Sequence, residues 1–362
     1  MRSWTATSRG TPRQALTILP TAPTPSLPTG NSSSSLILIK ITHVSLNPAD
    51  LATLKLLPPW LPFRRAPVPG LDFAGEIVAL DGCSPEKDGD EVGSLRVGDR
   101  VCGAVGLREV VAGRGTLAEY VLLDRGLVVR VPAGWDPREA VGVMGIAGQT
   151  ASVMVKGFLR DGGGADELED GALNGRRVLV NGASGGVGTL LVQVCKGLGA
   201  EVVGICSGAN EELVKGLGAD EVVNYRAHDP LEDHLAEKFG SQPFDAIFDC
   251  TGNETLYSCS PGYLKPDGKF TTIVGGWSQG VIPYIKYKLR PVLLGGTPRN
   301  YHLFLLSASG TIAREVASLV ERGLIKEAII DSEFPMEQTV EAFEKLATGR
   351  AKGKIVVNVN SC

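Results

Sequence analysis

Arg177-Val178-Leu179-Val180-Asn181-Gly182-Ala183-Ser184-Gly185-Gly186-Val187-Gly188 decides how this chain is read. A short apolar run enters a glycine cluster. An amphipathic run leaves it, with Val187, Leu190, Leu191, Val194 and Leu198 at helical spacing. Strand, tight turn and helix are the setting of a dinucleotide fingerprint. Ala183-x-Gly185-x-x-Gly188 has that spacing, with alanine in the first slot. Glycine at 185 lets the backbone approach a pyrophosphate, and glycine at 188 lets the helix pack on its strand. The unpaired N–H groups and positive end of such a helix attract phosphate.

Outward from this turn, Glu201 to Cys206 reads as a second buried strand, Leu213 to Leu217 as a short helix and Glu221 to Val223 as a third strand. Phe244 to Asp249 and Lys269 to Val274 read as two more. The alternation predicts an α/β fold with a doubly wound parallel sheet over residues 146–300. Residues 1–145 read as short strands between Gly/Pro turns: Leu36 to Ile41, Phe73 to Leu80, Asp99 to Val105, Ala118 to Leu123 and Leu127 to Val131. They predict a largely antiparallel, partly open barrel, opened by a hairpin whose second strand holds Ile18-Leu19. Glu139 to Phe158 reads as helical and bridges to the parallel-sheet domain. Residues 301–362 return to the first domain through helices at Ile312 to Gly323 and Met336 to Thr348 and a last strand at Lys354 to Val359.

A chain of 362 residues has room for two domains with cores of their own. Its net charge of −4 gives no electrostatic case for nucleic acid. No apolar run approaches the roughly 20 residues of a membrane helix. The cysteines are odd in number with no Cys-x-x-Cys, and the four histidines show no ligand spacing. This predicts free thiols in a reducing compartment and no metal. The cytoplasm is the expected location, and the arginine-bearing, acid-free Met1 to Arg13 keeps a mitochondrial alternative open.

Separate segments then point the same way: Ser45-Leu46-Asn47-Pro48-Ala49-Asp50, Pro69 to Gly75, Val97 to Val101, Gly115 to Tyr120, Gly182 to Gly188 and Gly349 to Val357. In this order, over nearly the whole chain, they resemble the medium-chain dehydrogenase/reductase superfamily. Within it they resemble the zinc-free, quinone oxidoreductase-like branch, and the chain is similar to the reticulon-interacting oxidoreductase and to fungal trans-acting enoyl reductases. The resemblance implies a GroES-like barrel domain plus a Rossmann domain. Zinc-dependent relatives hold their catalytic metal with Cys, His and Cys. The matching positions here are Asn47, Leu71 and Ile146, and neither leucine nor isoleucine can ligate a metal. The resemblance thus implies no zinc, and reduction of an activated carbon–carbon double bond or a quinone rather than chemistry on a zinc alkoxide.

By match to the family, Ser184, Gly185, Gly186 and Val187 wrap the pyrophosphate. Thr150 packs on the nicotinamide, and Thr251, Gly252, Val274 and Gly275 border its ribose. Tyr225 reaches the adenosine ribose-phosphate, and Lys354 lies near the cofactor. NAD enzymes place Asp or Glu just after the second strand. Here Cys206-Ser207-Gly208-Ala209-Asn210 holds no carboxylate. Ser207 can donate to a 2′-phosphate, Asn210 stands in the same turn, and Arg226 supplies a positive charge. The pattern favours NADPH over NADH. Two alternatives stay open: that Tyr225-Arg226 simply ends a strand, and that Lys354 is a solvated terminal lysine.

Asn47 is the candidate catalytic donor, because its amide N–H₂ can stabilise a developing oxyanion without a metal. Its alternatives are a cap on the turn before Pro48 and a contact to the nicotinamide ribose. Asp50 is placed to hold Asn47 or a helix N-terminus. Trp60, Phe63 and Trp277 are candidates for an apolar wall, and the loop from Leu56 to Phe63 has no tyrosine to act as acid. The leading expectation is an NADPH-dependent quinone or enone reductase acting on a small molecule. The alternatives are a trans-acting enoyl reductase whose substrate arrives on a carrier protein, docked at Arg64-Arg65 or Lys286, Lys288 and Arg290, and an NADPH-binding accessory protein. The family resemblance adds a homodimer.

Overall fold

The computed structural model of the chain describes residues 1–28, 35–56, 67–81, 95–161, 168–273 and 294–360. It divides into two compact units. Met1–Gln149, Ser307–Glu321 and Glu327–Cys362 form one, Thr150–Leu306 and Arg322–Lys326 the other. The strands of the first are β1 (Ser3–Ala6), β2 (Leu16–Leu19), β3 (Leu36–Leu46), β4 (Asp72–Leu80), β5 (Arg100–Ala104), β6 (Tyr120–Asp124) and β7 (Val128–Arg130). The second holds β8 (Arg177–Asn181), β9 (Glu201–Cys206), β10 (Glu221–Asn224), β11 (Phe244–Asp249), β12 (Leu264–Thr272) and β13 (Asn300–Leu303). β14 (Ile330–Pro335) and β15 (Lys354–Asn358) belong again to the first unit.

In the first unit the sheet runs β14-β15-β3-β4-β5-β7, with β6 also paired to β3, while β1 and β2 form the N-terminal hairpin. Among the described strands of this unit only the β14–β15 pair is parallel. Alternation along β3 buries Ile37, Ile39 and Ile41 completely. The register against β4 slips between Ile41 and His43, and beyond this bulge Val44, Ser45 and Leu46 are all buried. The bulge turns the end of β3, and with it Ser45 and Asn47, into the interior. The core around them includes Phe73, Ile77, Val101, Phe343 and Val357.

The second unit is a sheet in the order β10-β9-β8-β11-β12-β13, every pair parallel. Its strands are continuous apolar runs, with Val178, Leu179, Val180, Val202, Val203, Ala246, Ile247 and Phe248 all buried, because a parallel sheet is covered on both faces. The strand order reverses between β8 and β11, the switch point where doubly wound sheets bind ligands. The fold is α/β, a GroES-like domain with a Rossmann-type sheet.

Three elements differ from the sequence expectation. The stretch expected to be helical, Glu139 to Phe158, is divided into two helices, Pro137–Met144 and Ile146–Asp161. A Cβ on the intervening Gly145 would lie 2.3 Å from Cγ of Asp72, and the Ile146 N–H donates to that carboxylate at 2.7 Å. A side chain from β4 therefore interrupts the helix. The helix expected at Met336 to Thr348 begins as a 3-10 turn, Met336–Gln338, before Thr339–Ala347. β12 runs Leu264–Thr272, and Val274 and Gly275 lie outside the described residues, as do Trp60, Phe63, Trp277, Arg64-Arg65 and Lys286 to Arg290. No helix among the described residues is long and apolar enough to cross a membrane.

Candidate active site

At the carboxyl end of β8 the chain turns through Gly182, whose φ is +79°, and enters the helix Gly186–Gly197 with Gly185 as N-cap. A Cβ at Gly188 would sit 2.1 Å from the Gly182 carbonyl oxygen, so only glycine lets the helix close on the turn. The first helical hydrogen bond is Thr189 N–H to Gly185 C=O at 2.9 Å. The amides of Gly186, Val187 and Gly188 are thus the donors of the helix's first turn. No side chain stands at 185 or 186 to keep an anion off them, and the cradle suits a pyrophosphate.

Next to it lies the corner after β9. Asn210 Nδ2 donates to Ser184 Oγ at 2.9 Å, tying this corner to the glycine turn. The Ser207 side chain makes no capping bond to the short 3-10 helix Gly208–Asn210 that follows. No carboxylate occurs from Cys206 to Asn210, and the next one, Glu211, is paired with Lys215 at 2.7 Å. The parallel register that sets Asn224 beside Cys206 brings Tyr225 to the corner, with its N–H bonded to the Cys206 carbonyl at 3.1 Å. Tyr225 is 44% exposed, and the Arg226 guanidinium lies 5.6 Å from its ring centre. Ser184, Ser207, Asn210 and Tyr225 are thus neighbours at one end of the sheet.

Thr251 and Gly252 follow β11 at the same sheet end. Asn181 Nδ2 bonds Thr251 Oγ1 at 2.7 Å, which joins this loop to the end of β8. Thr150 is buried in the helix Ile146–Asp161.

The remaining candidates gather in the first unit. Asn47 is the residue before the helix Pro48–Leu56, with proline in its favoured first position. Asp50, in the first turn, reaches back to accept the Asn47 N–H at 2.8 Å. The register that pairs Ile355 with Leu46 carries Lys354 to the level of Asn47, and the one that pairs His43 with Ala74 carries Asp72 toward Ser45. The Lys354 Nζ donates to Asn47 Oδ1 at 2.5 Å and to the Leu46 carbonyl at 3.0 Å, and lies 3.4 Å from Asp72 Oδ2. Asp72 also accepts from Ser45 Oγ at 2.6 Å and from Asn47 Nδ2 at 2.8 Å. With a cation on its oxygen and a carboxylate on its nitrogen, the Asn47 amide has one orientation. Burial, and then the neighbouring Asp72, push the Asp50 carboxyl up to about 7. Its Oδ1 is buried without a partner.

Two expectations change here. Lys354 is 6% exposed, so it is no solvated terminal lysine, and its bonds are to Asn47 and Leu46 in the first unit. The Asn47 amide is not a free donor, because one N–H is committed to Asp72. Asp72, the centre of the cluster, was not singled out from the sequence. Its one local signal is a carboxylate between Leu71 and Phe73 where a strand begins. Asn47 Nδ2 and the Ile146 N–H both bond the Asp72 carboxylate, and Leu71 is its chain neighbour.

Comparison with known proteins agrees with the fold and gives the family. Residues 33–133 match the alcohol dehydrogenase GroES-like domain, and residues 217–357 match a family described as zinc-binding dehydrogenase. The chain is 32% identical to the medium chain reductase pydE of an Acremonium species, across 99% of both proteins. It is 30% identical to the trans-enoyl reductase poxH of Penicillium oxalicum, across 99% of this chain and 98% of that protein. Among solved structures, a quinone oxidoreductase from Coxiella burnetii superposes with a TM-score of 0.74 at 24% identity, over 99% of each chain.

Proposed function

The chain belongs to the medium-chain dehydrogenase/reductase superfamily, and from that premise we propose that it is a zinc-independent, NADPH-dependent reductase of quinones or α,β-unsaturated carbonyls. The observation that carries this reading is the corner after β9. It holds hydroxyl and amide groups, no carboxylate and a nearby arginine, beside the glycine turn and the first turn of the helix Gly186–Gly197. A ribose 2′-phosphate meets donors there and no repulsion.

Zinc does not suit the residues at 47, 71 and 146. One is an amide already bonded at both ends, and two are apolar. Among the described residues no group of three His, Cys, Asp or Glu is gathered to hold a metal. The positive charge of this cluster comes instead from the Lys354 ammonium.

NADPH, when bound, supplies the hydride, and the substrate's oxygen takes up the negative charge. Asn47 is the donor we assign to that oxygen. Lys354 and Asp72 orient its amide, and among the described residues the Asn47 N–H not held by Asp72 has the Ser45 carbonyl at 3.5 Å, too long for a strong bond. Asp50 fixes the Asn47 backbone.

The deciding experiment follows NADPH and NADH consumption with 9,10-phenanthrenequinone, a 2-alkenal and an enoyl thioester, with and without chelator. Faster turnover with NADPH, unaffected by chelation, is the expected result. Loss of activity on chelation, restored by zinc, would overturn it. The similarity to a trans-enoyl reductase along the whole chain favours a second reading, an enoyl thioester presented on a carrier protein. Turnover confined to the carrier-bound substrate selects it. Tight NADPH binding with no turnover selects an accessory role.

A further inference from the structure

Asp249 ends β11 and is 1% exposed. Its Oδ1 accepts from Asn181 Nδ2 at 2.9 Å and from the Thr251 N–H and Oγ1, both at 3.0 Å. Its Oδ2 accepts from the Gly252 N–H at 3.0 Å, the Asn253 N–H at 3.1 Å and Thr272 Oγ1 at 3.1 Å. All of these donors are neutral. The Asp249 side chain is thus held by hydrogen bonds from neutral groups.

Its place in the sheet gives these bonds a purpose. Asp249 pairs with Asn181 on β8 and with Thr272 on β12, so the one carboxylate ties together the ends of three adjacent parallel strands. The strand order reverses between β8 and β11, and the crevice of a doubly wound sheet opens there. The loop Thr251 to Asn253 turns successive amides inward. Left empty, such a concavity attracts anions. Asp249 fills it, so these amides are taken, and the candidate phosphate cradle beside them is the first turn of the helix Gly186–Gly197. The two loops also touch, since a Cβ on Gly182 would lie 2.8 Å from Thr251 Cγ2.

We propose that Asp249 is a positioning residue for the nicotinamide half of the cofactor. It locks the Thr251-Gly252 loop to the glycine turn, so that pyrophosphate and nicotinamide ribose meet a preformed floor. This rests on the NADPH reading and deepens it. The groups assigned to the adenosine half, Ser207, Asn210 and Tyr225, make none of these bonds. The two halves of the cofactor should therefore respond differently to a change at 249.

The test measures the affinity of the full-length chain for NADPH and for 2′,5′-ADP, which carries only the adenosine half, in wild type and Asp249→Asn. The amide keeps the size of the carboxylate but turns an N–H₂ toward N–H donors. We expect NADPH to bind about ten-fold more weakly or worse, 2′,5′-ADP to bind within about two-fold of wild type, and kcat to fall with KM for NADPH rising. Equal weakening of both ligands would mean a merely structural residue and would overturn the proposal, as would no change in either. If Asp249→Asn does not fold, Asn181→Ala gives the same contrast, because it removes one donor and keeps the carboxylate on the others. A wild type that binds neither ligand overturns the NADPH reading itself. A wild type that binds both, with a variant that fails to distinguish them, overturns only the role of Asp249.

Discussion

Asp50 and Lys354 show how far a single buried charge can be read. The Asp50 carboxyl is raised from 3.8 to about 7 by burial and by Asp72, so the fold favours its protonated form. Because the folded value lies above the unfolded one, its stabilisation is complete below about pH 4 and is lost as the pH rises through about 7. The displacement corresponds to roughly 4 kcal/mol across that window. Asp50→Asn keeps an acceptor for the Asn47 N–H and removes the titration. Melting temperature followed from about pH 5 to pH 8.5 should decline in the wild type and stay flatter in the variant, and parallel curves would refute this account. Lys354 makes the converse case. Lys354→Met strands the fully buried Asp72 without its cation, and losing one member of such a pair costs about 3–5 kcal/mol. Denaturant unfolding of this variant should show that loss, together with a fall in kcat because Asn47 Oδ1 loses the donor that orients it.

Among the elements, the tight approach of a helix to its turn is the feature most exposed to a single methyl group. At Gly188 a Cβ meets the Gly182 carbonyl at 2.1 Å and the Ala183 Cα at 2.8 Å, and both are backbone atoms that cannot rotate away. Gly188→Ala should therefore push the helix Gly186–Gly197 off its strand, and NADPH titration should show binding weakened by about ten-fold or more. Unchanged affinity would mean that the first-turn amides do not hold the pyrophosphate. This turn was legible in the sequence because its signals are local: an apolar run, glycines at fixed spacing, then helical periodicity. The same holds for the parallel strands, whose continuous apolar runs announce burial on both faces. The break at Gly145 was not legible. Glycine fits a helix on paper, and the group that interrupts the helix, Asp72, comes from a distant strand. Asn47, Asp50 and Lys354 could each be marked as candidates. Their grouping about Asp72 could not, because it depends on the β3 bulge and on the registers of β4 and β15.

For the whole molecule, the ion content of each unit makes one further expectation quantitative. The first unit gathers its buried charge around a lysine of its own, and the second sets the first turn of the helix Gly186–Gly197 at the switch point of a parallel sheet. A ligand that binds only the folded chain stabilises it by mass action, by about 2.7 kcal/mol at one hundred times its dissociation constant. Dialysis against a chelator should leave the melting temperature where it was, since the Lys354 ammonium already stands beside Asp72. NADPH added to the dialysed protein should then raise the melting temperature by several degrees. NADH at the same concentration should raise it less, because it has no 2′-phosphate to meet Ser207, Asn210 and Arg226. Equal shifts with the two nucleotides would remove the argument built on the carboxylate-free corner after β9. A drop on chelation that zinc reverses would show instead that a metal, and not Lys354, carries the charge beside Asn47.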